Sequence, residues 1–132
     1  MKKWEVQPSV SVGGVQFLTH RSEVRKQIGL DYTEMKKSIF SKNTMDAYDT
    51  FHVFYGERNE MEAIEFFEGN KLTISGKTLF PGKVSMAQKL IPDLMDNEDC
   101  YISTNMSIGI TVSSDDPEKI ESVLVGCKGY YM

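Results

Sequence analysis

The sequence predicts an α+β domain: a mostly antiparallel β-sheet of six to eight strands with two short helices over one face. Three observations predict it. Short runs rich in β-branched and aromatic residues recur along the chain, bounded by Gly, Asn or Pro. Two segments, following Thr19 and Ser85, repeat apolar residues at four-residue spacing behind a capping residue. Successive strand runs are joined by tight turns, which suits antiparallel neighbours.

The elements follow in order. Ser9 to Leu18 alternates apolar residues on both sides of Gly13-Gly14, so it reads as a strand broken by a turn or bulge. Thr19 reads as the cap of a first helix, with Val24 and Ile28 on one face, Arg25 and Lys26 near its C-terminal end and Gly29 closing it. Tyr32 to Phe40 fits either period and is read as a strand. His52 to Tyr55 and Ala63 to Phe67 form a β-hairpin around Gly56-Glu57-Arg58-Asn59. Lys71 to Ser75 and Thr78 to Phe80 are the next two strands, turning at Gly76-Lys77 and stopping at Pro81-Gly82. Ser85 reads as the cap of a second helix with Met86, Leu90 and Leu94 in a stripe, bent or split by Pro92. Asp93 to Asp99 reads as an acidic linker. Tyr101 to Ser103, Ser107 to Val112 and Ile120 to Val125 complete the strands, and Gly129-Tyr130-Tyr131 ends the chain. Val24, Ile28, Leu72, Ile74, Leu90, Val123 and Leu124 are the expected core.

Length and composition bound the function. A chain of 132 residues makes one domain, 1–132, burying roughly two thirds of its unfolded surface. At 40% hydrophobic it is too apolar for a disordered chain. No apolar run approaches the ~20 residues of a membrane helix, and Met1 to Gln7 lacks the apolar stretch of a signal peptide, so a cytoplasmic protein without membrane contact is expected. Cys100 and Cys127 are too few and too far apart for a thiolate zinc site or a CxxC pair, and reduced thiols are expected.

The charge is −4 in total, distributed as +4 over residues 1–44, −6 over 45–69 and −2 over the rest. An acidic chain is poorly suited to direct nucleic-acid binding, which relies on clustered Lys and Arg. The clusters Arg25-Lys26 and Lys36-Lys37 read as solvated faces. The predicted hairpin therefore stands out, because residues 45–69 set seven acidic residues and one arginine among strand formers.

Chemistry-bearing residues are sparse. His20 and His52 are the only histidines. His52 has Asp49 and Glu65 in reach as orienting carboxylates, half of a catalytic pair, but GxSxG, HExxH and a helix-start Cys are all missing. Glu57, Glu60, Glu62, Glu65 and Glu68 alternate between strand faces and do not match a calcium loop, so no metal site is assigned. Gly13-Gly14 lacks the GKS or GKT of a phosphate loop, and no cofactor pattern is present. The eight methionines fall mostly at apolar positions and read as core fillers. No catalytic residue is assigned. Asp49, Phe51, Tyr55, Glu57, Glu60 and Glu62 combine apolar anchors with charges able to steer a basic partner, and they form the expected partner-binding face.

Three segments carry a resemblance: Val12-Gly13-Gly14-Val15 leading into the helix that ends at Gly29, Tyr55 to Phe67, and Ile120 to Gly126 running into Gly129-Tyr130-Tyr131. Together they resemble small bacterial immunity proteins encoded beside polymorphic toxins, including those of contact-dependent growth inhibition systems. The hairpin departs from the family's usual Tyr-Asp-x-x-Gly turn, since Gly56 comes early and Arg58-Asn59 fills the tip. The resemblance implies a non-enzymatic inhibitor, monomeric or weakly dimeric, that occludes the active site of a cognate toxin. A nuclease toxin with a basic cleft would suit an acidic inhibitor. Two alternatives come from the residues themselves: a ligand-binding, regulatory or edge-assembling module of phage or bacterial origin, and a small hydrolase centred on His52.

Overall fold

A computed structural model describes residues 2–36, 38–98 and 100–132, and the structural statements that follow concern these residues. The N-terminal half runs β1 (Lys2–Gln7), β2 (Ser11–Val12), β3 (Val15–Gln16), α1 (Arg21–Ile28), β4 (Thr33–Met35), β5 (Met45–Ala47), β6 (Phe51–Tyr55) and β7 (Met61–Phe66). The C-terminal half runs β8 (Asn70–Ile74), β9 (Lys77–Phe80), α2 (Val84–Leu90), β10 (Met95–Asn97), β11 (Cys100–Ser103), β12 (Ile108–Val112) and β13 (Ile120–Gly126). The fold is α+β and mostly antiparallel, as expected, but the strands form two sheets rather than one. Five strands are ordered β3-β2-β1-β8-β9, and eight are ordered β10-β11-β12-β13-β7-β6-β5-β4.

The second sheet arises at one corner. After β7 the chain does not hairpin back: Gly69 takes φ 110°, and Asn70, fully buried, starts a strand in the other layer. Asn70 Nδ2 donates to the carbonyls of Thr50 and Phe67 at 2.8 and 2.9 Å, and its Oδ1 accepts from Trp4 Nε1 at 3.0 Å. Each polar atom is thereby satisfied without water, which makes burying the amide tolerable. β8 then pairs with β1 in parallel, from Lys2 opposite Asn70 to Val6 opposite Ile74. β1 is a strand because Lys3, Glu5 and Gln7 alternate outward against buried Trp4 and Val6.

The sheets meet through aromatic contacts. The Trp4 ring lies 5.0 Å from both Phe51 and Phe66, edge-on or tilted, the arrangement ring quadrupoles prefer. Val12, Leu72 and Leu79 from the small sheet and Val53, Ile64 and Ile110 from the large one share that single core. Gly13, at φ 59°, is needed beneath the indole: a Cβ there would lie 2.4 Å from Trp4 Cε3.

Several expected elements shift. α1 starts at Arg21 and is capped by His20, whose Nδ1 accepts from the Ser22 N–H at 3.2 Å, while the Thr19 carbonyl accepts from Met61 N. α2 starts at Val84, and the Ser85 N–H donates to Glu118 Oε1 rather than Ser85 acting as the cap. Its buried side is Val84 and Ala87, continued by Ile91, whereas Met86 is exposed. The expected acidic linker contains strand β10, and Asp99 falls outside the described residues. Ile39 and Phe40 lie beyond the short β4 and are exposed. Of the expected core, Val24, Leu72, Ile74 and Val123 are buried and Ile28 and Leu90 partly so. Leu124 turns to the opposite face, and Val125 is the buried neighbour. No described helix is long and apolar enough to cross a membrane.

Trp4→Ala removes the ring joining the layers and leaves Asn70 Oδ1 without its donor. Its expected cost is about 3–5 kcal/mol, read as a lower urea midpoint at unchanged m-value.

Candidate functional site

The predicted hairpin is real: β6 and β7 pair antiparallel from Phe51 opposite Phe66 to Tyr55 opposite Met61. Glu62 is the extra residue, since Phe54 faces Ala63 and Tyr55 faces Met61, so a bulge sits just before the turn. Phe51, Val53 and Tyr55 point into the core, and His52 and Phe54 point to the opposite face of the sheet.

α1 holds this end of the sheet through its arginines. Asp46 on β5 is fully buried, and Arg25 grips it with Nε to Oδ2 and Nη2 to Oδ1, both 2.8 Å. Tyr55 Oη donates to Asp46 Oδ2 at 3.1 Å. Arg25 Nη2 also reaches Glu34 Oε1 at 2.8 Å, and Thr44 donates to Glu34 Oε2 at 3.0 Å. Hydrogen bonding to Asp46, and then to Glu34, raises the Arg25 pKa, and the bond to Arg25 lowers that of Glu34. The Arg25 guanidinium covers the Tyr32 ring at 4.3 Å. The reading of Arg25-Lys26 as a solvated face thus fails at Arg25.

Arg21, one turn earlier, fixes the hairpin tip. Its guanidinium lies 4.0 Å from the Tyr55 ring centroid and donates to Asn43 Oδ1, Asn59 Oδ1 and the Thr44 carbonyl. Asn59 occupies the left-handed region at φ 59°, a conformation asparagine tolerates, and its carbonyl accepts from Arg21 N at 2.7 Å. Asn43 Nδ2 bridges the Gly56 carbonyl and Asn59 Oδ1 at 2.7 and 2.8 Å. The tip is therefore tied to both the helix and the segment before β5.

Between that segment and the hairpin lies a cleft of about 530 Å³. Met45 and Phe54 supply its apolar lining, and Lys42, Glu57, Arg58, Glu60 and Glu62 its charges. The Glu62 carboxylate lies over Gly56, where a Cβ would come within 2.3 Å of its Oε2 and displace it. Lys42 and Glu57 pair at 2.9 Å on the exposed rim, which lowers the Glu57 pKa and raises that of Lys42. Glu60 and Glu62 have no ion-pair partner among the described residues, and neither has Arg58, so the cleft is net negative.

The structure gathers four of the six predicted residues here: Tyr55, Glu57, Glu60 and Glu62. Tyr55 contributes its edge from a buried position. Asp49 is exposed at the far end of β6, in the turn from β5. Phe51 is 4% exposed, stacked on Tyr48 with centroids 4.6 Å apart and set against Trp4 and Phe66, so it cannot serve as a surface anchor. Phe54 takes that place, one residue along on the other face. The contrast of Phe51, Val53 and Tyr55 with His52 and Phe54 carried this assignment in the sequence.

His52 lies directly opposite Glu65, with its ring against Phe67 at 4.9 Å and Phe54 at 6.5 Å. Ser122 Oγ donates to Glu65 Oε2 at 3.5 Å rather than to the imidazole. Cys127 is half-buried, its thiol pKa raised by burial and by nearby Glu62. Among the described residues no group of three His, Cys, Asp or Glu side chains is placed to hold a metal ion. Comparison with protein-family models, curated proteins and solved structures finds no match.

Asp46→Ala takes from Arg25 its buried partner, leaving it only the exposed Glu34, and takes from Tyr55 Oη its acceptor; the expected cost is about 1–3 kcal/mol, measured by urea unfolding. Alkaline pH should act through Tyr48, whose hydroxyl donates to the Gly29 carbonyl at 2.7 Å and whose pKa burial pushes up to about 12. Above the ordinary value of 10.0 the unfolded chain releases a proton that the fold retains. Stability is therefore expected to fall as pH rises from there toward 12, with Tyr55, Tyr130 and Tyr131, also raised by burial, adding to the slope and Tyr48→Phe reducing it by its own share in unfolding titrations.

Proposed function

We propose that this chain is an immunity protein that binds a cognate bacterial toxin in the cytoplasm and occludes its active site through the cleft at the β6–β7 turn. The observation that carries the reading is the cleft's chemistry: a net-negative rim over an apolar lining, on a turn fixed from beneath by Arg21 and Asn43. A fixed surface loses little conformational freedom on binding, and unpaired carboxylates steer a basic partner. A nuclease fits this role, because a surface built to hold phosphates is basic. The apolar anchor is Phe54, and the carboxylates that matter most are Glu60 and Glu62, since Glu57 is already paired with Lys42. The reading requires no catalysis by the chain itself.

The test is co-expression with the toxin encoded beside its gene, together with association rates measured across salt. Wild type is expected to protect, with an association rate that falls steeply as salt screens exposed charges. Glu60→Lys with Glu62→Lys should slow association by roughly 10-fold or more and weaken protection. Protection undiminished by the double reversal, with salt-independent association, would remove the cleft from the interface. Turnover of ester, phosphodiester or glycoside substrates that disappears in His52→Ala would replace the inhibitor with a hydrolase.

A further inference from the structure

β4 is the last strand of the eight-stranded sheet, paired with β5 on one side and with no described strand on the other. All three of its residues are exposed. Around it, within residues 30–40, four large apolar side chains face solvent: Leu30 at 76%, Met35 at 45%, Ile39 at 85% and Phe40 at 86% exposure. An open strand edge offers free backbone donors and acceptors to another strand, and apolar exposure concentrated beside it marks an interaction surface.

We infer that this edge pairs antiparallel with β4 of a second copy, joining two eight-stranded sheets across a two-fold axis. The sequence of the edge selects that occupant. Two identical antiparallel strands in one sheet are related by an axis perpendicular to it, so the register must centre on a single residue. Centred on Met35, it sets Met35 against the partner's Met35 and Glu34 against the partner's Lys36, in both directions. Centred on Glu34, two like charges meet; centred on Thr33, Asp31 faces the partner's Met35 and no ion pair forms. Glu34 is already held in place, Oε1 on Arg25 and Oε2 on Thr44, while its side chain stays 47% exposed. A lysine beside an edge strand ordinarily discourages pairing. Here Lys36 meets an oriented carboxylate in one register only, so the edge rejects foreign strands and accepts its own.

The experiment is sedimentation velocity on the full chain from low-micromolar to near-millimolar concentration, with amide hydrogen exchange at both extremes. A reversible dimer is expected, with amides of residues 33–36 gaining protection as concentration rises. Met35→Asp and Lys36→Glu should each weaken it by roughly tenfold or more. Both side chains are exposed, so their thermal unfolding at low concentration should match wild type, separating lost pairing from lost folding. A chain that stays monomeric throughout, or a dimer indifferent to both substitutions with no added protection at 33–36, overturns the proposal. So does an edge occupied only when a different protein is present.

Discussion

The burial of Asp46 is the constraint around which this end of the molecule is organised. A carboxylate with no exposure is tolerable only when paired and hydrogen-bonded, and Arg25 and Tyr55 meet that demand together. To bring Arg25 there, α1 must lie across β4, β5 and β6. Arg21, one turn earlier on the same face, is then delivered to the hairpin tip, where Asn43 and Asn59 receive it. The helix places the cleft without lining it. Replacing the ion pair with an apolar pair of similar size would preserve contact area and lose the directional grip that sets helix and turn in one orientation.

The opposite end of β6 is fixed by different means. Trp4, Phe51 and Phe66 join the layers, and Tyr48 stacks on Phe51 while its hydroxyl caps the end of α1. The face of the large sheet away from the core is also partly covered, because Tyr130 and Tyr131 pack over Gly126 and Gly109, where a Cβ would collide with their rings. Burial raises the pKa of both tyrosines. Beside the cleft, the bulge at Glu62 breaks the alternation of β7.

Local patterns were legible in the sequence and long-range partners were not. The hairpin, the β8–β9 turn, the Gly13-Gly14 break and the strands near the C-terminus follow from alternation and turn residues, which act over a few positions. That β8 leaves β7 for β1 depends on Asn70 finding Trp4 sixty-six residues away. The Arg25–Asp46 pair spans a helix and a strand twenty-one residues apart. At the site, Glu57, Glu60 and Glu62 line one cleft because a tight turn keeps residues this close in sequence together. Phe51 was misread because aromatic character was weighed without its face, although Val53 and Tyr55 on the same parity already indicated the core.

This also changes what the charge map means. Along the chain, residues 1–44 are basic and 45–69 acidic, which suggests two opposed surfaces. In the fold, Arg21 and Arg25 turn inward and Asp46 is buried between strand and helix, so part of that contrast is withdrawn from the surface. At the cleft a partner meets Lys42 already paired with Glu57, and Glu60 and Glu62 against Arg58. The steering field of the cleft is local, screened within about 8 Å at physiological ionic strength. Tight binding at such a surface must come chiefly from shape and from the apolar lining at Met45 and Phe54, with the carboxylates setting orientation and rate.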